Sequence, residues 1–173
     1  MVSQPRAAKI RGARLRKALA VLRDQINSGL KEAMKAKDPR RVSTLRLISA
    51  AFKNADIEAR GAGKALSDDD LLGVLQKMIK QRQESVELYE KGGRAELAQQ
   101  EREEIAIVGS FLPKQLSEAE IGETVGALVK ELGAQGLKDM GRVMAAMKER
   151  FAGKMDFGKA SARLKALLSG PQA

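Results

Sequence analysis

Hydrophobic residues recur every three or four positions through most of the chain, which is the spacing of one face of an α-helix. Asp38-Pro39, several glycines and Pro113 interrupt the pattern, and such residues start or end helices. Between these breaks the spacing predicts seven helices, at residues 21–35, 40–60, 68–91, 94–111, 118–132, from about 137 to 151, and 156–168. An all-α fold is therefore predicted, with a four-helix N-terminal part and a smaller C-terminal three-helix bundle.

Each predicted helix carries one apolar stripe that we expect to face a core. The stripe of the first helix is Leu22, Ile26, Leu30 and Met34, that of the sixth is Met140, Met144, Met147 and Phe151, and that of the seventh is Phe157, Ala160, Leu164 and Leu167. A methionine stripe at this spacing is typical of a core and not of a ligand site. Helix formers such as Ala, Leu, Lys, Glu and Arg dominate the composition, which supports the same assignment.

The best domain boundary lies where the fourth helix stops and the fifth begins. Pro113 prevents the fourth helix from continuing, and Ser117 with Glu120 matches the S-x-x-E capping box that opens a helix. The predicted domains are therefore residues 21–112 and 117–169. Residues 1–20 are predicted to be a basic arm without fixed structure, and the alternatives are a mitochondrial presequence or an extension from a wrongly chosen start site.

Composition excludes several kinds of chemistry. The 173-residue chain has no cysteine and no histidine, which rules out disulfides, thiolate–imidazole zinc sites and histidine-based nucleophilic catalysis. Asp68, Asp69 and Asp70 follow Ser67, but consecutive helical residues point in different directions and cannot converge on one metal ion. They are interpreted as a helix start, and no catalytic residue, metal site or cofactor is predicted. No apolar run is long enough to cross a membrane.

Charge points to a polyanionic partner. The net charge is +10, and basic residues concentrate toward both ends of the chain while the middle is acidic. In the C-terminal part Lys138 and Arg142 are four residues apart, as are Lys159 and Arg163, and further cations lie at the intervening turn. The predicted nucleic-acid contacts are Lys138, Arg142, Lys148, Lys154, Lys159 and Arg163. Such side chains contact phosphates without reading sequence, and ordinary solubilising charge is the alternative interpretation.

Four segments in order identify a family resemblance. They are QRQES at residues 81–85, YEKGGRAELA at residues 89–98, FLPKQLS at residues 111–117 and KDMGRVM at residues 138–144. Together they resemble the GatB/YqeY family over about residues 21–169. The resemblance implies a two-part helical fold similar to the tail region of the B subunit of glutamine-dependent Asp/Glu-tRNA amidotransferases.

The resemblance also implies a function. In those ligases the tail helps to hold the tRNA, while catalysis lies in other domains that have no counterpart here. We therefore expect a tRNA-binding accessory protein related to carbon–nitrogen ligases that use glutamine as amido donor, without catalysis of its own. The alternative is a protein–protein docking module for amidotransferase or synthetase subunits. We expect a cytoplasmic location, or the mitochondrial matrix if residues 1–20 are a presequence.

The family-motif residues are interpreted as structural. They are Arg82, Tyr89, Gly93, Arg94, Pro113, Asp139 and Gly141. Arg82 is expected to be partly buried and to need a carboxylate partner, and Gly92 with Gly93 is expected to permit a chain reversal. Arg94 is expected to contact helix-end carbonyls or the network around Arg82, and Gly141 is expected to allow close helix packing.

Overall fold

The computed structural model describes the backbone of residues 6–170 and the side chains of residues 21–67 and 69–170. The described backbone contains helices and no strand, which confirms the all-α prediction. The helices are α1 (Arg6–Lys35), α2 (Pro39–Gly61), α3 (Asp68–Lys91), α4 (Ala95–Gly109), α5 (Glu118–Leu132), α6 (Met140–Phe151) and α7 (Phe157–Ser169). A short 3₁₀ helix at Leu137–Asp139 leads directly into α6. The backbone of α1 thus begins at Arg6, whereas the sequence predicted a first helix from residue 21 and an arm without fixed structure before it, and the side chains of residues 1–20 lie outside the described residues.

Contacts divide the chain into two units, Met1–Leu112 and Pro113–Ala173. In the first unit α3 packs most extensively against α4, and α1 packs against α2. The buried side chains of its core include Ile26, Leu45, Ile48, Leu71 and Leu75. The second unit is built around Val125, Val143, Met147, Met155 and Leu164. Both cores are mainly aliphatic, as the composition requires, and Phe52 is a buried aromatic member of the first.

Two residues predicted to face the core are exposed. Met34 is 54% exposed, and Ala33 takes the buried position on α1. Consecutive steps of four residues advance about 40° each around a helix with 3.6 residues per turn, so Met34 lies about 120° away from Leu22. On α7 the buried line runs through Ala160, Leu164 and Leu168, while Leu167 lies beside it and is 45% exposed.

The turn after α3 needs one of its two glycines. Gly93 has a φ of 69°, in the left-handed region that side chains disfavour, whereas Gly92 has an ordinary φ of −84°. The backbone N–H of Arg94 donates to the Tyr89 carbonyl at 2.8 Å, and that of Gly93 donates to the Glu90 carbonyl at 3.1 Å, which is the pattern of a Schellman motif. Arg94 thus closes α3 with its backbone N–H, while its side chain makes no capping hydrogen bond.

Candidate nucleic-acid interface

The C-terminal unit places α5 and α7 side by side. Ser117 caps α5 through the predicted capping box, in which its N–H donates to the Glu120 carboxylate at 2.7 Å. The Lys159 ammonium on the first turn of α7 pairs with Glu118, and Arg163 one turn later lies over Gly122. Successive turns of the two helices therefore meet in order, and α5 and α7 run in the same direction.

An open groove of about 800 Å³ lies between these two helices. Its lining includes the small residues Gly122 and Ala162 and the charged residues Lys159, Arg163, Glu118 and Glu123. A hydrogen bond to Lys159 lowers the pKa of the Glu118 carboxyl and raises the pKa of the Lys159 ammonium in return. Of the two predicted contacts on α7, Lys159 is therefore already engaged by an acid of the same unit.

The start of α6 is organised by Asp139. One carboxylate oxygen accepts the Gln135 N–H at 2.9 Å, and the other pairs with Arg142 at 3.1 Å. The hydrogen bond from the Gln135 backbone, followed by contributions from Arg142 and the Gly136 backbone, lowers the pKa of Asp139. Asp139 thus ties the loop before the 3₁₀ helix to the first turn of α6, and Lys138 and Arg142 stand on either side of it in the chain.

Gly141 follows in the first turn of α6, where it is exposed. A Cβ built on it would meet no atom within 4 Å among the described residues. The expectation that Gly141 permits close helix packing is therefore wrong, because no neighbouring element approaches it in the described part of the chain.

The other predicted contacts around α6 lie on different sides of that helix and its following turn. Arg142 and Lys148 are six residues apart on α6, which places them about 120° apart around the helix axis. Lys154 lies in the turn after α6, where its carbonyl accepts the Leu116 N–H at 2.8 Å and its side chain is exposed. Arg150, which was not among the predicted contacts, binds both oxygens of Glu131 at 2.7 and 2.9 Å.

All six predicted nucleic-acid contacts are exposed, but they differ in their partners. Arg142 and Lys159 form ion pairs within the unit. Lys138, Lys148, Lys154 and Arg163 form no ion pair within 4.0 Å among the side chains at 21–67 and 69–170. An added polyanion can contact these four without displacing a carboxylate, and the same holds for Lys114, Lys130 and Lys165 of this unit, which were not among the predicted contacts.

The family-motif arginine of the N-terminal unit has a structural partner. The Arg82 Nε atom donates to Glu104 at 2.9 Å, and Glu101 lies at 4.0 Å. Arg40 of α2 approaches the same Glu104 at 3.7 Å. Arg82 and Glu104 are only 13% and 17% exposed, so the link between α3 and α4 is largely buried, while Arg40, which connects the network to α2, is 34% exposed. The carboxylate partner expected for Arg82 is present.

The acidic start of α3 acts as a helix cap. The Asp70 carboxylate accepts the Ser67 N–H at 2.6 Å, and the Ser67 hydroxyl accepts the Asp70 N–H at 3.2 Å. Within the described chain no group of three or more acidic side chains is arranged to hold a metal ion. None of the helices in that part of the chain is both long and apolar enough to traverse a bilayer.

The structure thus defines a class of helical proteins with two units. The smaller unit exposes several cations that form no ion pair in the described chain. Residues 23–168 match the family described as Yqey-like protein, and the chain belongs to this family. This result confirms the resemblance seen in the motifs.

Its curated relatives include several fungal proteins named "Altered inheritance of mitochondria protein 41, mitochondrial". The protein of Lachancea thermotolerans is 38% identical over 62% of this chain and 57% of its own length. That of Eremothecium gossypii is 33% identical over 50% of this chain and 46% of its length, and that of Pyrenophora tritici-repentis is 28% identical over 75% and 73%. The chain spans about half the length of the first two.

Proposed function

We propose that this protein is a tRNA-binding accessory factor, related to the tail of glutamine-dependent tRNA amidotransferases and without catalysis of its own. The observation that carries the proposal is that four of the six predicted contacts, Lys138, Lys148, Lys154 and Arg163, are exposed and have no carboxylate partner within 4.0 Å in the described chain. Membership of the Yqey-like family supports it through the motif resemblance to the amidotransferase tail.

The proposed binding is to the phosphate backbone and not to base edges. Neutralising phosphates with Lys and Arg releases counterions, and this supplies affinity that does not depend on sequence. Base stacking would need exposed aromatic rings, whereas Phe151 and Phe157 are partly buried against the core of the C-terminal unit. Because these cations point in different directions, they would contact phosphates on separate segments of a folded RNA.

The four unpaired cations provide the test. Replacing Lys138, Lys148, Lys154 and Arg163 together by glutamine is expected to weaken tRNA binding by about two to three orders of magnitude near 0.1 M salt. The slope of log K against log salt is expected to fall by about 3, because up to four phosphate contacts are lost. Filter binding of purified protein to tRNA over a salt series measures both quantities.

A matched control removes the same charge from the other unit. Lys31, Lys77, Lys80 and Lys91 are exposed and have no ion pair in the described chain, so the same change to glutamine leaves the C-terminal unit intact. This control is expected to bind tRNA with nearly the original salt slope. Equal losses in both variants would show that net charge alone matters, and unchanged binding by the first variant would refute the proposed surface.

The location belongs to the same proposal. We propose that the protein acts in the cytoplasm beside amidotransferase or synthetase subunits, and the mitochondrial matrix is the alternative that the names of the relatives favour. A fluorescent fusion of the full chain is expected to remain diffuse in the cytoplasm, with or without residues 1–20. A mitochondrial signal that disappears when residues 1–20 are removed would establish the matrix instead.

A further inference from the structure

The outer face of α2 carries an apolar stripe that the described chain leaves uncovered. Leu47 is 48% exposed and Ile57 is 66% exposed, and both point away from the core that Leu45, Ile48 and Phe52 enter. With exposed Ala50 and Asn54 the stripe follows the spacing three, four, three. This is the spacing of the seam positions in a coiled coil, where one helix packs against another.

A row of cations borders this stripe on one side. Arg46, Lys53 and Arg60 are each seven residues apart, so they follow the stripe along the same flank of α2. All three are exposed, and none has an ion pair within 4.0 Å among the described side chains. Of the two acids on α2, Asp56 is engaged by Arg23 and Glu58 lies across the stripe from the cations.

We propose that this face docks an amphipathic helix of another protein, whose apolar edge covers Leu47 and Ile57 and whose acidic side chains meet the row of cations. The seam spacing selects a helix as the occupant, because only a helix offers knobs at the matching interval. The uncompensated charge of Arg46, Lys53 and Arg60 selects acidic flanking residues. This inference is independent of the tRNA-binding proposal, which concerns the other unit.

A second copy of this chain fits the face poorly. In an antiparallel pair centred on Phe52, the same flank of the stripe from each copy faces the other. Arg46 would therefore face Arg60 of the partner, and Lys53 would face Lys53 of the partner. A parallel pair would match Lys53 with Glu58, but it would bring together two chains that each carry a net charge of +10. An acidic partner removes both sources of repulsion.

The probes are two helical peptides of three heptads, about 21 residues long, with identical leucine and isoleucine seams. One carries glutamate at the flanking positions and the other carries lysine. The full chain is expected to bind the glutamate peptide at least tenfold more tightly than the lysine peptide, since three charge pairs change sign. Changing Arg46, Lys53 and Arg60 to glutamate is expected to reverse this preference, as measured by fluorescence anisotropy.

A second variant with its own control tests the contribution of the exposed apolar residues Leu47 and Ile57 to peptide binding. Replacing Leu47 and Ile57 by glutamine, which is a good helix former, is expected to weaken binding of the glutamate peptide about tenfold. The control is Leu88→Gln, at an exposed leucine of α3 that lies off the stripe, and it is expected to leave peptide affinity unchanged. Circular dichroism melts check that all variants keep their helices.

Several outcomes would overturn the inference. Equal affinity for the two peptides, or binding that the α2 variants do not alter, would show that the face does not select an acidic helix. A loss of tRNA binding in the triple glutamate variant, without any peptide binding, would assign the cations to RNA. A dimer of the unmodified chain that dissociates in the Leu47 and Ile57 variant would assign the face to contact between copies.

Discussion

Replacing Leu164 by alanine is expected to lower the free energy of unfolding by about 3 kcal/mol. Leu164 is fully buried on α7, where it packs with Val125 of α5 and Met147 of α6 in the core of the C-terminal unit. The truncation removes apolar area and leaves a cavity, and three helices of a small unit have little other packing to compensate. Urea unfolding followed by circular dichroism measures the change.

Leu167 offers a control on the same helix. It is 45% exposed, so Leu167→Ala loses little buried area and is expected to cost less than about 1 kcal/mol. The two variants remove the same atoms from neighbouring turns and differ in burial. Equal destabilisation by both, or a larger effect at Leu167, would mean that α7 buries the face predicted from the sequence and not the observed one.

Replacing Glu104 by glutamine is expected to cost about 2 kcal/mol. The carboxylate is hydrogen-bonded to Arg82 at 2.9 Å and lies 3.7 Å from Arg40. Removing its charge leaves the Arg82 guanidinium largely buried, and its remaining partners among the described residues are the more distant Glu101 and the Met78 carbonyl. A fully buried pair would lose more, and the partial exposure of both side chains reduces the penalty.

The exposed pair between Glu90 of α3 and Arg102 of α4 is the matched control. It bridges the same two helices, but about half of each side chain is in contact with water. Glu90→Gln is therefore expected to cost at most about 1 kcal/mol in the same urea experiment. If the two glutamine variants are equally stable, the Arg82 network does not contribute more than a surface ion pair.

Helix limits were most predictable where local signals lie at both ends. Residues 68–91 and 118–132 are helical as predicted, because Ser67 with Asp70 and Ser117 with Glu120 form capping boxes, and glycines follow each helix. The fourth helix ends at Gly109 instead of residue 111, since Pro113 limits where a helix can end without fixing its last residue.

The candidate site was less predictable than the fold. Exposure of the cations on α6 and α7 follows from their positions opposite the apolar stripes, and the structure agrees. Which of these cations form ion pairs does not follow from the sequence. Glu118 and Lys159 are 41 residues apart and meet only because α5 lies beside α7. The stripe on the outer face of α2 escaped the sequence analysis for a related reason. Leu47 and Ile57 look like additional core residues until the inward face of α2 is known.

The position of Asp139 has a consequence for reading natural variation in this protein. Its carboxylate anchors the backbone at Gln135 and Gly136 and also restrains Arg142. A substitution at this aspartate would therefore misalign neighbouring cations while making the chain more positive. If the proposed tRNA binding is weaker in such a variant despite its extra positive charge, the defect would come from lost geometry, and the usual relation between charge and affinity would be reversed.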